Sequence, residues 1–210
     1  MKNWKKLGNM FAVLAALALG KPAMAQEPII FVHGYLNGTS VWDTMVSRFI
    51  SSGYPSSKLY RFGYNSYLYN NTQLGSQLKS FVTNVRSQNN LALISIVAHS
   101  NGGLVSRAYR VFNSGTSSMR RFVTLGTPHW GSNWAFGCYT PICYDMRPYS
   151  FFLQSLAGRG CDRSLWSAVD ELIVPQINAK CGTSTQVASV SHMRLLTDSS
   201  VYQEVRRQLQ

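Results

Sequence analysis

The sequence predicts an α/β fold, a mostly parallel sheet with helices on both faces. Two observations carry that expectation. Apolar, β-rich runs alternate with stretches of helical periodicity, the pattern of β-α-β units. The first of those runs, "PIIFVHG", is apolar and β-rich and ends in glycine, as a buried parallel strand does. A third observation concerns one junction. In "ISIVAHSNGGLVSRAYR" (Ile94 to Arg110) a strand-like run meets a helix-like run at a serine followed almost at once by two glycines.

The elements follow in order. "PIIFVHG" (Pro28 to Gly34) reads as a first buried strand ending in glycine. "SVWDTMVSRFISSG" reads as a helix whose apolar face is Val41, Trp42, Met45, Phe49 and Ile50, ended by Gly53. "KLYRFGYN" is a second strand. "TQLGSQLKSFVTNVRSQNN" is a longer helix with Leu74, Leu78, Phe81, Val82 and Val85 on one side. "LALISIVAH" is the third strand, "GGLVSRAYRVFN" the helix after it, and "RFVTLGTPH" the fourth strand. Regularity fades from Trp130 to Cys161, a stretch rich in Gly, Pro and aromatics. It returns in "SLWSAVDELIVP" and "TQVASVSH", both strand-like. A terminal helix, "SSVYQEVRRQLQ", has Ser200 and Gln203 at capping-box spacing.

Residues 1–25 read as a cleavable secretory signal rather than part of the fold. Lys2, Lys5 and Lys6 precede the short apolar run "MFAVLAALAL", and "AMA" (Ala23 to Ala25) supplies the small residues a signal peptidase reads. The apolar run is shorter than the roughly 20 residues that span a bilayer. The expectation is a secreted or periplasmic chain starting at Gln26, a single domain over 26–210 with no transmembrane segment after cleavage. Losing Lys2, Lys5, Lys6 and Lys21 and no acid lowers the formal charge from +12 to +8. The remaining basic residues are scattered, with only Arg120-Arg121 and Arg206-Arg207 adjacent, which argues against a nucleic-acid partner.

Four cysteines in an exported chain suggest disulfides. Of the three pairings, Cys138 with Cys143 and Cys161 with Cys181 are favoured because each closes a local loop. A zinc site would lack both a CxxC pair and nearby histidines. Neither a metal nor a cofactor is expected.

A serine between a parallel strand and a helix projects its hydroxyl from the carboxyl edge of the sheet. The usual frame is G-x-S-x-G, with small residues where strand and helix approach. Here it reads Ala98-His99-Ser100-Asn101-Gly102. A serine hydroxyl needs a base, and the base needs an acid. Of the four histidines, His33 ends the first strand, His99 adjoins the serine and His129 belongs to "GTPHWGS". His192, at the end of a late strand, is the expected base. The acid should lie between Ser100 and His192, which leaves Asp145, Asp162, Asp170 and Glu171. Asp170 is favoured as the end of a strand. Glu171 should point elsewhere, and Asp145 and Asp162 are expected at the surface. Backbone N–H donors for an oxyanion would come from Asn101 and from Tyr35, just past His33-Gly34.

"FVHGYLNGTSVW", "VAHSNGGLVSR", "VTLGTPHWGS", "WSAVDELIVP" and "SVSHMRLL" appear in the order found in bacterial lipases of the α/β-hydrolase superfamily. Ala98 makes the chain most similar to the small Bacillus-type lipases with an A-x-S-x-G elbow. The resemblance implies the triad Ser100, Asp170 and His192, oxyanion donors Tyr35 and Asn101, and cofactor-free hydrolysis of lipid esters, at a lipid–water interface if the substrate is aggregated. The Trp130–Cys161 insert is longer than expected of compact members and would form an acyl-site wall, a partial lid or a braced surface loop. Tyr35, Trp42, Trp130, Trp134 and Phe136 would serve either an acyl pocket or the core. Other readings of the same site are an acyltransferase and a polyester hydrolase; a non-catalytic binding protein keeping the fold is the reading from another class.

Overall fold

The computed structural model describes residues 26–210, so the signal segment lies outside the described residues. Six strands form one all-parallel sheet: β1 (Ile29–Val32), β2 (Leu59–Phe62), β3 (Ile94–His99), β4 (Met119–Leu125), β5 (Arg163–Trp166) and β6 (Thr183–Gln186). Their spatial order is β2-β1-β3-β4-β5-β6. The chain runs from β1 outward to β2 and returns to β3, so the order reverses at the β1–β3 boundary. Crevices of parallel sheets open at such a reversal, beyond the carboxyl ends of the strands.

Every residue of β1 and β3 is buried, because both faces of the sheet are covered. On one face α2 (Asn71–Ser87) and α3 (Asn101–Phe112) pack Leu74, Leu78, Val82, Leu104 and Val105 against Ile30, Val32, Ile94 and Ile96. On the other, α1 (Asp43–Ser51) and α6 (Ser199–Leu209) pack Met45, Phe49, Val201 and Val205 against Ile29, Phe31, Val97 and Val123. Burying this much aliphatic surface, at roughly 25 cal/mol per Å², is the main stabilising term.

Several boundaries differ from the sequence expectation. The first helix begins as a 3₁₀ turn at Thr39–Trp42, and Ile50 faces solvent while Val46 takes its place in the core. Leu91 belongs to a left-handed turn (φ 59°) before β3. The capping box lies at α2: the Asn70 side chain accepts from Gln73 N, and Gln73 Oε1 accepts from Asn70 N. At α6 the cap is instead Asp198, whose carboxylate accepts from Ser200 N and Val201 N. One hydrogen-bonding aspartate at the right offset outranks the Ser200–Gln203 spacing.

The two late segments are corrected most. β5 stops at Trp166, so Asp170 is four residues past the strand rather than at its end. β6 stops at Gln186, and His192 sits in the loop beyond it, at the head of the 3₁₀ turn Met193–Leu196. The irregular stretch contains a 3₁₀ turn (Asn133–Gly137) and two short helices, α4 (Pro141–Met146) and α5 (Phe151–Ser155). Cys138 pairs with Cys143 and Cys161 with Cys181, at Cα–Cα distances of 5.7 and 5.4 Å. Neither Asp145 nor Asp162 is a free surface residue. Asp145 accepts from Asn71 N at the start of α2, and Asp162 accepts from Phe122 N on β4.

Candidate active site

Ser100 stands between β3 and α3 with φ 54° and ψ −132°. An L-residue held at positive φ costs about 1–3 kcal/mol, and persists only where the surroundings fix it. Three glycines explain the fixing. A Cβ on Gly102 would overlap the Val32 and His33 carbonyl oxygens, and one on Gly103 would overlap the Thr127 hydroxyl. A Cβ on Gly34 would lie 2.7 Å from Ser100 Cβ, so the turn after β1 runs directly against the serine. Thr127 Oγ1 and Gly103 N both donate to the Ser100 carbonyl, at 2.8 and 3.0 Å. Tyr35 follows Gly34 in that turn, whose next amide, Leu36 N, is anchored on Ser66 Oγ at 2.8 Å. Asn101 is the first residue of α3, where backbone N–H groups lack intrahelical acceptors.

His192 and Asp170 form a buried pair. His192 Nδ1 lies 3.0 and 2.8 Å from the two carboxylate oxygens of Asp170. Asp170 Oδ1 also accepts from the backbone of Leu172 and Ile173, both at 3.0 Å. A carboxylate can only accept here, so Nδ1 carries the proton and Nε2 keeps the lone pair. Gly126 (φ 52°) makes room for the pair: a Cβ there would lie 2.7 Å from Asp170 Oδ2 and 3.3 Å from His192 Nδ1. Glu171 bonds the backbone of the same histidine, its Oε2 accepting from His192 N at 3.0 Å.

Ser100, His192 and Tyr35 line one cavity of about 250 Å³ at the carboxyl edge of the sheet. No Ser100–His192 hydrogen bond forms among the described residues; such contacts are often long until substrate aligns them. Ala135, Met146 and Ile173 are buried at its floor, while Leu36, Trp134 and Met193 are exposed at its rim. The insert therefore supplies a wall through Ser132, Trp134, Ala135 and Met146. That wall is tied together by Ser132 Oγ, which donates to Leu172 O (2.6 Å) and accepts from Val174 N (3.1 Å) and Trp134 N (3.2 Å). Of the five aromatics considered above, Tyr35 and Trp134 line this cavity and Trp42 is core. Trp130 lines a larger cavity of about 520 Å³, which contains none of Ser100, Asp170 and His192.

The other three histidines are occupied elsewhere. His33 stacks on Tyr64 and turns Nδ1 toward the Gly34 carbonyl, 2.9 Å away. His129 Nε2 lies 2.9 Å from Thr124 Oγ1. His99 Nε2 lies 3.0 Å from the His192 carbonyl. Burial holds all three below the ordinary imidazole pKa; for His129 the neighbouring Arg107, and for His99 the neighbouring His192, push the same way. Among the described residues no cluster of three His, Cys, Asp or Glu side chains could hold a metal, and no helix is long and apolar enough to cross a membrane.

Four contributors were not foreseen: Gly126, the Ser132 hydroxyl, the Glu171 brace and the His99 contact. Gly126 had a local signal, a glycine ending a buried strand. The others are tertiary contacts that no spacing encodes.

An all-parallel sheet with a serine elbow facing an acid–histidine pair across the strand ends defines an α/β-hydrolase. Solved structures of the same fold include a Bacillus licheniformis lipase, BlEst2 in mature form (TM-score 0.75, 17% identity, 90% of this chain and 94% of that one). Phospholipase PlaB from Legionella pneumophila is a second (TM-score 0.71, 11% identity, 89% and 60%). A curated triacylglycerol lipase of Burkholderia plantarii is 30% identical over 136 residues, 60% of this chain but only 36% of the longer relative. The family profile described as Lipase (class 2) matches residues 26–209, and the chain belongs to that family.

Proposed function

We propose that this chain is an exported serine carboxylic-ester hydrolase that cleaves lipid esters through an acyl-enzyme. The observation that carries the reading is the Asp170–His192 pair, whose histidine lines the same cavity as Ser100. Family membership and the triacylglycerol lipase of Burkholderia plantarii support ester substrates, and the apolar floor of the cavity suits an acyl chain. Two disulfides suit an oxidising compartment outside the cytosol, in keeping with a signal at residues 1–25.

In this reading Ser100 Oγ attacks the ester carbonyl carbon while His192 Nε2 takes the hydroxyl proton. The Asp170 carboxylate holds the tautomer and stabilises the imidazolium. Tyr35 and Asn101 N–H groups stabilise the developing oxyanion; such a donor is worth on the order of 10²–10³ in rate. Collapse breaks the bond to the alcohol oxygen, which receives the proton from His192. Water, deprotonated by His192, then attacks the acyl-enzyme, and the carboxylic acid leaves as Ser100 regains its proton.

The test is turnover of p-nitrophenyl esters from acetyl to palmitoyl by the mature protein and by Ser100→Ala. The expected loss in the variant is on the order of 10⁴-fold or more. A folded wild type inert on every ester, or a variant as active as wild type, refutes the reading.

A further inference from the structure

His99 is fully buried beside the serine, yet its hydrogen bonding is incomplete. Its Nε2 faces the His192 carbonyl oxygen at 3.0 Å. A carbonyl only accepts, so Nε2 carries the proton and Nδ1 keeps a lone pair. That Nδ1 is buried without a partner among the described residues, an arrangement that costs about 1–3 kcal/mol in a protein interior. The ring also packs on the His192 ring, with centroids 4.5 Å apart and planes at 45°. A Cβ on Gly34 would lie 3.4 Å from His99 Nδ1, so the opposite edge of the ring faces the turn that carries Tyr35. One imidazole thus contacts the residue expected to be the base and lies beside the turn expected to bind the oxyanion. It is rooted in β3, one residue before the nucleophile.

A side chain that merely filled this space could be apolar and leave no orphaned nitrogen. We infer that His99 is a positioning residue for His192, fixing the depth of the base over the sheet edge through the Nε2–H bond to its carbonyl and through ring contact. The inference rests on the reading of Ser100 and His192 given above. The hydrogen bond acts on the backbone of His192, while Asp170 acts on its ring and Glu171 on its amide. Three anchors on one residue define both where the ring sits and how it is turned. Burial and the neighbouring His192 keep His99 neutral, so it adds no cation to repel the imidazolium formed during turnover.

The experiment compares His99→Gln, His99→Asn and His99→Phe with wild type on a soluble short-chain ester, Ser100→Ala being run alongside. Glutamine presents an N–H at about the reach of Nε2, whereas asparagine presents one at about the reach of Nδ1. Phenylalanine keeps the ring and loses the bond. The expected result is a kcat loss of roughly 10–100-fold in Phe and Asn with KM within about twofold, since an error of ~1 Å in a reacting group can cost 10²-fold. Glutamine should restore most of kcat. The low-field proton resonance of the His192 Nδ1–H should shift in Asn and Phe and return in Gln.

Asparagine as active as glutamine, phenylalanine with wild-type kcat, or a loss confined to KM overturns the inference. Should Phe fail to fold, the Gln–Asn comparison decides alone, both being amides of similar polarity. Failure of the parent reading shows differently, as turnover surviving in Ser100→Ala. The His192 resonance still reports in that event whether His99 positions the ring.

Discussion

At the scale of single residues, the site depends on a few groups held against their own preferences. Ser100 keeps a positive φ because Gly34, Gly102 and Gly103 let two backbone segments close around it. Asp170 is buried and accepts from two backbone amides as well as from His192. Those amides aim the carboxylate at the His192 ring. Asp170→Asn keeps the shape but presents an amide N–H where an acceptor is required, favouring the wrong His192 tautomer. We expect kcat on a soluble ester to fall by roughly 10⁴-fold while the protein stays folded. A smaller effect than about tenfold, with melting unchanged, would remove Asp170 from the proposed mechanism.

At the scale of elements, α3 does more than present Ser100. Arg107, on its buried side, has no carboxylate partner among the described residues and is solvated by carbonyl oxygens. It donates to His129 O (3.2 Å), Leu156 O (2.7 Å) and Arg159 O (2.7 Å). Burial lowers its pKa to about 10. The guanidinium thereby ties the strand-exit loop after β4 and the end of the insert to one helix. Lysine cannot spread its charge over this fan of acceptors. Arg107→Lys should lower stability by about 2 kcal/mol or more in urea unfolding, and should speed proteolysis near residues 156–160. Asp198→Ala offers the contrast. It removes the α6 cap, whose carboxylate bonds Ser200 and Val201, neither of which lines the cavity, so about 1 kcal/mol of stability should go while kcat holds. A kcat change in the cap variant would mean that α6 is coupled to the site in a way its packing does not suggest.

At the scale of the whole molecule, three buried neutral histidines set a pH dependence. His33, His99 and His129 all have folded pKa values below 6.5. Below that pH the unfolded chain binds protons that the folded chain refuses, so stability rises with pH in this window. The contribution is fully present above pH 6.5 and is lost as pH falls from 6.5 toward the folded values. Each histidine adds a slope of up to ~1.4 kcal/mol per pH unit. Melting temperature should therefore drop steadily between pH 6.5 and 5, and calorimetry should record net proton uptake on unfolding. A flat profile across that range would contradict the neutral burial of these rings.

What the sequence determined by itself was what local pattern encodes. The alternation of apolar runs and helical periodicity foretold the parallel sheet, because strands covered on both faces must be apolar throughout. Ser100 was legible because strand, serine, glycines and helix lie within the seventeen consecutive residues from Ile94 to Arg110. Scarcity narrowed the rest, with four histidines to weigh and four acids between Ser100 and His192. The elements carrying those residues were misread. "DELIVP" and "VASVSH" have strand-like composition, yet the Leu172 and Ile173 amides bond the Asp170 carboxylate rather than a neighbouring strand. Only the tertiary structure decided that, as it decided the roles of Arg107, Ser132, Glu171 and His99. Their long-range partners stand 21 to 93 positions away in the chain, as in Glu171 with His192 and His99 with His192. Contacts of that range leave no periodicity to read, because they are set by which loops the finished sheet brings to its edge.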